Sequence, residues 1–145
     1  MKELLIYEAG KMSGLSFSNM NEWRVDLKGR LLKASDAKGL KIKVVNPVTY
    51  YNFEYQLHKS EREIMLFDLN LVKKSDIIVV NIEGLNSSIG TCIELYEAYT
   101  KNIPVLAFGS IDEYLSLHPW IKECITRIDW NKEELVEYIE DFYFT

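Results

Sequence analysis

Residues 76–82, DIIVVNI, constrain the fold of this chain more than any other stretch. A strand with one wet face alternates apolar and polar residues. Ile77, Ile78, Val79 and Val80 do not alternate, so both faces of this segment need apolar cover. A parallel sheet clothed by helices on both sides supplies it.

The rest of the chain fits that frame. Residues 3–8 (ELLIYE), 40–45 (LKIKVV) and 103–108 (IPVLAF) read as further strands, and 123–128 as a weaker one. Helical spacing of apolar residues lies between them. It runs over 18–33 (Met20, Trp23, Leu27 and Leu31, with Ser18 as N-cap) and over 56–74 (Ile64, Phe67, Leu71 and Val72 inward). It recurs over 89–101 and 131–142, where Asn131 and Glu134 stand at capping-box spacing. Residues 111–122 are partly helical and interrupted at Pro119, and the aromatic stretch 50–55 fits no template. Strands alternating with helices predict an α/β three-layer sandwich. Its five-stranded parallel sheet has the flavodoxin-like, Rossmann-like order 2-1-3-4-5, with right-handed crossovers. At 145 residues and 48% hydrophobic content, one domain over 1–145 is expected.

Composition narrows the function. A net charge of -5, from 17 basic and 22 acidic residues, argues against a nucleic-acid polymer as partner but leaves room for a mononucleotide. Cys92, Cys124, His58 and His118 have no metal-ligand spacing, so no metal and no cofactor are expected. The apolar run in MKELLIYEAG is too short for a signal peptide, and no run approaches a membrane span. A soluble cytoplasmic protein is the expectation.

In a sheet of this order, ligands bind beyond the strand C-termini where β-strands one and three diverge. The loops there span residues 9–16 and 83–90. The first holds Ala9, Gly10, Lys11, Met12, Ser13 and Gly14. It is neither a P-loop nor GxGxxG; it is either an anion-cradling loop or an ordinary strand-to-helix turn. The second leads into SSIGTCIELYEA, which sets Glu94 just inside a helix. On a helical wheel Cys92, Leu95, Tyr96 and Tyr99 form the apolar stripe and Glu94 lies roughly opposite. Glu94 is therefore either a solvated charge or a reactive carboxylate facing the crevice. Asp68 lies within the long helix before the central strand, and is either a surface charge or a second carboxylate at the site. Two carboxylates on one sugar permit glycosyl transfer, one attacking the anomeric carbon and the other handling the leaving group's proton. His118-Pro119-Trp120 is either a lid or subunit contact or, by preference, a satisfied surface or core histidine. The aromatic end Tyr138, Phe142, Tyr143 and Phe144 reads as packing against the core or a second subunit.

Three motifs in order carry a resemblance: Tyr7 to Gly14 (YEAGKMSG), Asp68 eight residues before Asp76, and Gly90-x-x-x-Glu94-Leu95. Over roughly the first 110 residues the chain resembles the nucleoside 2-deoxyribosyltransferase family, whose branches include the 2'-deoxynucleoside 5'-monophosphate N-glycosidases. The resemblance implies that Glu94 attacks C1' and forms a glycosyl-enzyme, that Asp68 is the acid/base at the nucleobase, and that Tyr7 belongs to the catalytic set. It implies substrate binding by Ala9, Gly10, Lys11, Met12, Ser13, Gly14, Ser88 and Gly90. Ser88 stands where the transferases carry an acid for the 5'-hydroxyl and the monophosphate hydrolases carry Ser, which favours a 5'-monophosphate. The family's shared site implies a homo-oligomer, a dimer or larger, with Ser116 the residue matched to the neighbouring subunit's contribution. Tyr96 replaces the usual Gly and its bulk is expected to narrow the site. The expected activity is N-glycosidic cleavage of a (2'-deoxy)nucleoside 5'-monophosphate. The alternatives are deoxyribosyl transfer between bases, a non-catalytic nucleotide-binding module, and cleavage of a nicotinamide riboside bond.

Overall fold

A computed structural model describes residues 3–50 and 57–145. Five parallel strands form one sheet in the order β2-β1-β3-β4-β5: β1 (Leu4–Ala9), β2 (Ile42–Val45), β3 (Ile77–Asn81), β4 (Val105–Phe108) and β5 (Arg127–Asp129). Six helices connect and close it: α1 (Phe17–Ala37), α2 (Glu61–Lys74), α3 (Ile89–Thr100), α4 (Ile111–Leu115), α5 (Pro119–Glu123) and α6 (Lys132–Phe142). The expected α/β class and strand order are the observed ones.

The period-2 geometry of the strands splits the core in two. Ile77 and Val79 of β3 join Ile6, Leu106 and Phe108 under α1 and α6, through Leu27, Leu31, Leu135 and Ile139. Ile78 and Val80 face the other way, with Tyr7, Ala9 and Ala107, under α2 and α3 through Val72, Leu95 and Ala98. All four of the continuous apolar residues of β3 are 0% exposed, as cover on both faces requires. Phe144 is buried in the first core, so the aromatic C-terminus packs inward there.

Asp76 fixes register rather than chemistry. Its carboxylate accepts from the Leu5 amide at 2.8 Å, and its own amide donates to the Leu5 carbonyl at 2.8 Å, at the end of the sheet opposite the ligand crevice. With β1 pairing both β2 and β3, the chain leaves its C-terminus at the switch point.

Several boundaries differ from expectation. The N-cap of α1 is Ser16, whose Oγ accepts from the Asn19 amide at 3.1 Å; Ser18 lies inside the helix and bonds Glu22. Helix α2 begins only at Glu61, after the Ser60 cap, and the 50–55 stretch lies outside the described residues beyond Tyr50. The segment 83–88 contains a short 3-10 turn, Leu85–Ser87, entered through Gly84 at φ 68. Residues 111–122 form two short helices, with Pro119 opening α5, as a proline can at a first helical position.

Candidate active site

Strand β1 runs through both cores and ends under the loop 10–16. Tyr7, its fourth residue, is 0% exposed, and its hydroxyl reaches sideways to donate a hydrogen bond to Glu94 Oε2 on α3. The partners are far apart in sequence and come from different layers. Glu94 thereby turns away from water into a cavity of about 700 Å3 at the switch point.

The cavity has four walls. β1 and the loop after it give Tyr7, Glu8, Gly10, Met12 and Ser13; α1 gives Arg24; the start of α3 gives Ser88, Gly90, Thr91, Ile93 and Glu94. Helix α2 forms the fourth wall through Glu61, Arg62, Ile64, Met65, Leu66, Asp68 and Leu69, with Pro47 at the side. Asp68 therefore does reach the crevice. It stands at mid-helix, on the N-terminal stretch of α2 that lines the cavity.

Eight of the sequence-designated residues share this cavity: Tyr7, Gly10, Met12, Ser13, Asp68, Ser88, Gly90 and Glu94. Ala9 is instead the buried last residue of β1. Lys11 leans across to the other loop, its Nζ donating to Ser87 Oγ at 3.0 Å. Gly14 occupies a left-handed turn, φ 79, with open space around it. Ser116 lies at the end of α4, where its Oγ donates to the Glu113 carbonyl and its own carbonyl accepts from Asn86, outside this cavity. His118 caps α5, its Nδ1 accepting from the Trp120 amide at 3.1 Å.

The glycines differ in purpose. A Cβ at Gly10 would meet Trp23 Cζ2 at 2.6 Å, so the aromatic ring of α1 requires a glycine there. A Cβ at Gly90 would meet nothing within 4 Å; that glycine leaves space in the cavity wall. Ser88 stands at the N-cap of α3 but its side chain does not cap it: its Oγ pairs with Thr91 Oγ1 at 2.7 Å and makes no bond to the helix's opening amides. Those amides and the helix dipole point their positive end at the cavity.

Burial governs the electrostatics. It pushes the Glu94 carboxyl up to about 8; Asp68 raises it further, while the Tyr7 hydrogen bond and Arg24 hold it down. Glu8 goes higher, to about 9, through burial, with Arg24 and Lys28 pulling the other way. Perturbed carboxyls gathered in one cleft are characteristic of reactive sites.

The helical wheel misplaced α3. Its buried residues are Thr91, Leu95 and Ala98, whereas Tyr96 and Tyr99 are 60% and 53% exposed. Tyr96 therefore does not narrow this cavity. With Tyr99, Cys92, Trp120 and Cys124 it lines a second concavity of about 530 Å3 on the outer face of α3. Sequence reasoning also passed over Glu8 and Arg24. The signal was present, since Arg24 lies four residues after Met20 and three before Leu27, a charge on the buried stripe of α1.

No family model matches this chain, and no curated protein does. Solved structures do. A conserved protein from Enterococcus faecalis V583 superposes with a TM-score of 0.78 at 20% identity, over 97% of this chain and 99% of that one. The 2-deoxyribosyltransferase of the psychrotolerant bacterium Bacillus psychrosaccharolyticus superposes with a TM-score of 0.66 at 18% identity, over 92% of this chain and 91% of that one. The chain shares their fold.

Proposed function

We propose that this protein is an enzyme that cleaves the base–sugar bond of a nucleoside 5'-monophosphate, by preference 2'-deoxy, through a covalent glycosyl-Glu94 intermediate. The observation that carries the reading is the Tyr7–Glu94 hydrogen bond inside a cavity that Asp68 also lines. The fold shared with a 2-deoxyribosyltransferase supports glycosyl chemistry on a nucleoside.

In the first step a Glu94 carboxylate oxygen bonds to C1', and the C1'–N bond breaks with its electron pair going to the base. Asp68, protonated, gives its proton to the departing base nitrogen. In the second step Asp68 takes a proton from water as the water oxygen attacks C1', and Glu94 leaves as carboxylate. The Tyr7 hydroxyl keeps one Glu94 oxygen occupied and so orients the other. The uncapped amides of α3, with Ser88 and the space left by Gly90, suit a phosphate on the 5' position, where an acid would repel it. Met12 and Ser13 of the first loop line the wall beside Gly10 and make contact with the substrate.

Transfer is the second reading, favoured by the activity of the Bacillus structural neighbour. It differs only in what resolves the intermediate, an acceptor base instead of water. We further infer a homo-oligomer: Trp120, 80% exposed, and Tyr96 and Tyr99 form an apolar face fit for a second copy, and Ser116 is the residue the family resemblance assigns to the neighbouring subunit's site. Cys92 and Cys124 are free thiols, in keeping with a reducing, cytoplasmic setting.

The deciding experiment is chromatography of free base after incubation with each common ribo- and deoxyribonucleoside 5'-monophosphate, beside Glu94→Ala. Base released by the wild type and not by the variant is the expected result. Absence of release from every monophosphate, with and without an acceptor base, would overturn the reading in favour of a non-catalytic binding module.

A further inference from the structure

The buried stripe of α1 carries a single charge, Arg24. Arg24 is 0% exposed, alongside Leu27 and Leu31 at 0%. A buried guanidinium needs partners for its donors and a balance for its charge. The donors are satisfied. Nε donates to the Glu8 carbonyl at 3.4 Å, Nη2 to the Gly10 carbonyl at 3.0 Å, and Nη1 to the Met20 carbonyl. These acceptors are all main-chain carbonyls, which carry no net charge.

No carboxylate is hydrogen-bonded to the guanidinium among the described residues; burial works against its charge, and Glu8, Tyr7 and Glu94 act in its favour only through space. Glu8, on the strand beneath, is also 0% exposed, and neither of its carboxyl oxygens has a hydrogen-bond partner among the described residues. Its preference for the proton, up to about 9, leaves it neutral near pH 7. The guanidinium charge therefore stays in the cavity wall that Arg24 shares with Glu94. The groups that act on Glu94 are Tyr7 from β1, Asp68 from α2 and Arg24 from α1; those that act on Glu8 are Arg24 and Lys28.

We propose that Arg24 is a positioning residue for the glycosyl step: its fork fixes the β1–α1 turn through the Glu8 and Gly10 carbonyls, and its unbalanced charge biases Glu94 toward the attacking carboxylate. Glu8, held as the neutral acid, is what leaves that charge available. The inference rests on Glu94 as the nucleophile, and the two are tested separately.

The direct measurement is the titration of Glu94 by 13C NMR of its carboxyl in wild type, Arg24→Met, Arg24→Lys and Glu8→Gln, together with the pH profile of base release. In Arg24→Met the Glu94 midpoint should move up by about one pH unit, and kcat/KM at neutral pH should fall about tenfold and recover at higher pH. Arg24→Lys keeps the charge without the fork: the midpoint should stay while KM rises. Glu8→Gln should leave the Glu94 midpoint in place, because Glu8 is already neutral there. An unmoved midpoint in Arg24→Met would overturn the charge role. Should that variant not fold, a midpoint displaced in Arg24→Lys does the same, and an unchanged KM in Arg24→Lys overturns the role of the fork. The NMR result stands whether or not base is released. Equal base release by Glu94→Ala and wild type would instead sink the nucleophile, leaving the titration shift to be judged alone.

Discussion

Glu94 and Glu8 make opposite demands on pH. If Glu94 attacks as the carboxylate, base release should rise with pH along a limb whose midpoint lies at about 8, and fall again where Asp68 loses the proton it donates. Tyr7→Phe removes the hydrogen bond that holds Glu94 down, so its rising limb should move to higher pH, with kcat reduced about tenfold or more near neutrality. A kcat/KM profile measured across pH 5–10 checks both. Glu8 bears on stability. Its folded-state carboxyl lies above the ordinary 4.5, so the folded chain holds a proton that the unfolded chain releases. Its stabilising contribution is therefore complete below about 4.5 and drains away as pH rises toward about 9, at about 1.4 kcal/mol per pH unit inside that window. Glu8→Gln should melt like wild type near pH 4.5 and above it at pH 8; calorimetry at the two pH values decides. At this scale the sequence was legible where a motif named a residue type at a spacing, as with Glu94, Asp68, Gly10 and Ser88. It marked Arg24 only as a charge on an apolar stripe and Glu8 not at all, because charge is ordinarily a sign of exposure and the packing of α1 against β1 is what encloses these two.

Helices were legible through their periodicity and less so through their ends. Ser16 and Ser18 both precede an apolar stripe, and either can cap; the Asn19 amide chose Ser16. The wheel of α3 went wrong by about one position because Thr91 was discounted as polar and the tyrosines were counted as buried. In the structure Thr91 is buried through its hydroxyl bond to Ser88, and the tyrosines stack on each other outside, ring centroids 6.1 Å apart. The C-terminal end of α2 lies away from the crevice, but Asp68 stands at mid-helix, on the half of α2 from Glu61 to Leu69 that lines the cavity. The two glycines of the site separate cleanly by experiment. Gly10→Ala pushes a methyl into the Trp23 ring and should cost about 1–3 kcal/mol in chemical denaturation. Gly90→Val should fold as well as wild type to within about 1 kcal/mol, since nothing stands within 4 Å, yet should raise KM for a monophosphate severalfold.

For the whole molecule, the order 2-1-3-4-5 followed from the continuous apolar β3 and the alternation of element types, which is why it needed no contact information. What alternation does not carry is which exposed apolar residues await a partner. Trp120, Tyr96 and Tyr99 are exposed, and if the proposed homo-oligomer forms through them, Trp120→Glu should shift the mass measured by light scattering from oligomer to monomer. If Ser116 acts across that interface, the same variant should lose base release at low protein concentration. The two carboxylates sit on supports of unequal firmness. Glu94 is tied to β1 through Tyr7 and stands on a helix with Thr91, Leu95 and Ala98 buried, while Asp68 rides on α2, whose one fully buried residue is Val72. On the proposed mechanism the anomeric carbon therefore meets a fixed reference point and the departing base a compliant one. Such an enzyme should be exacting about the sugar and forgiving about the base: exchanging ribose for deoxyribose should change kcat/KM far more than exchanging one purine for another.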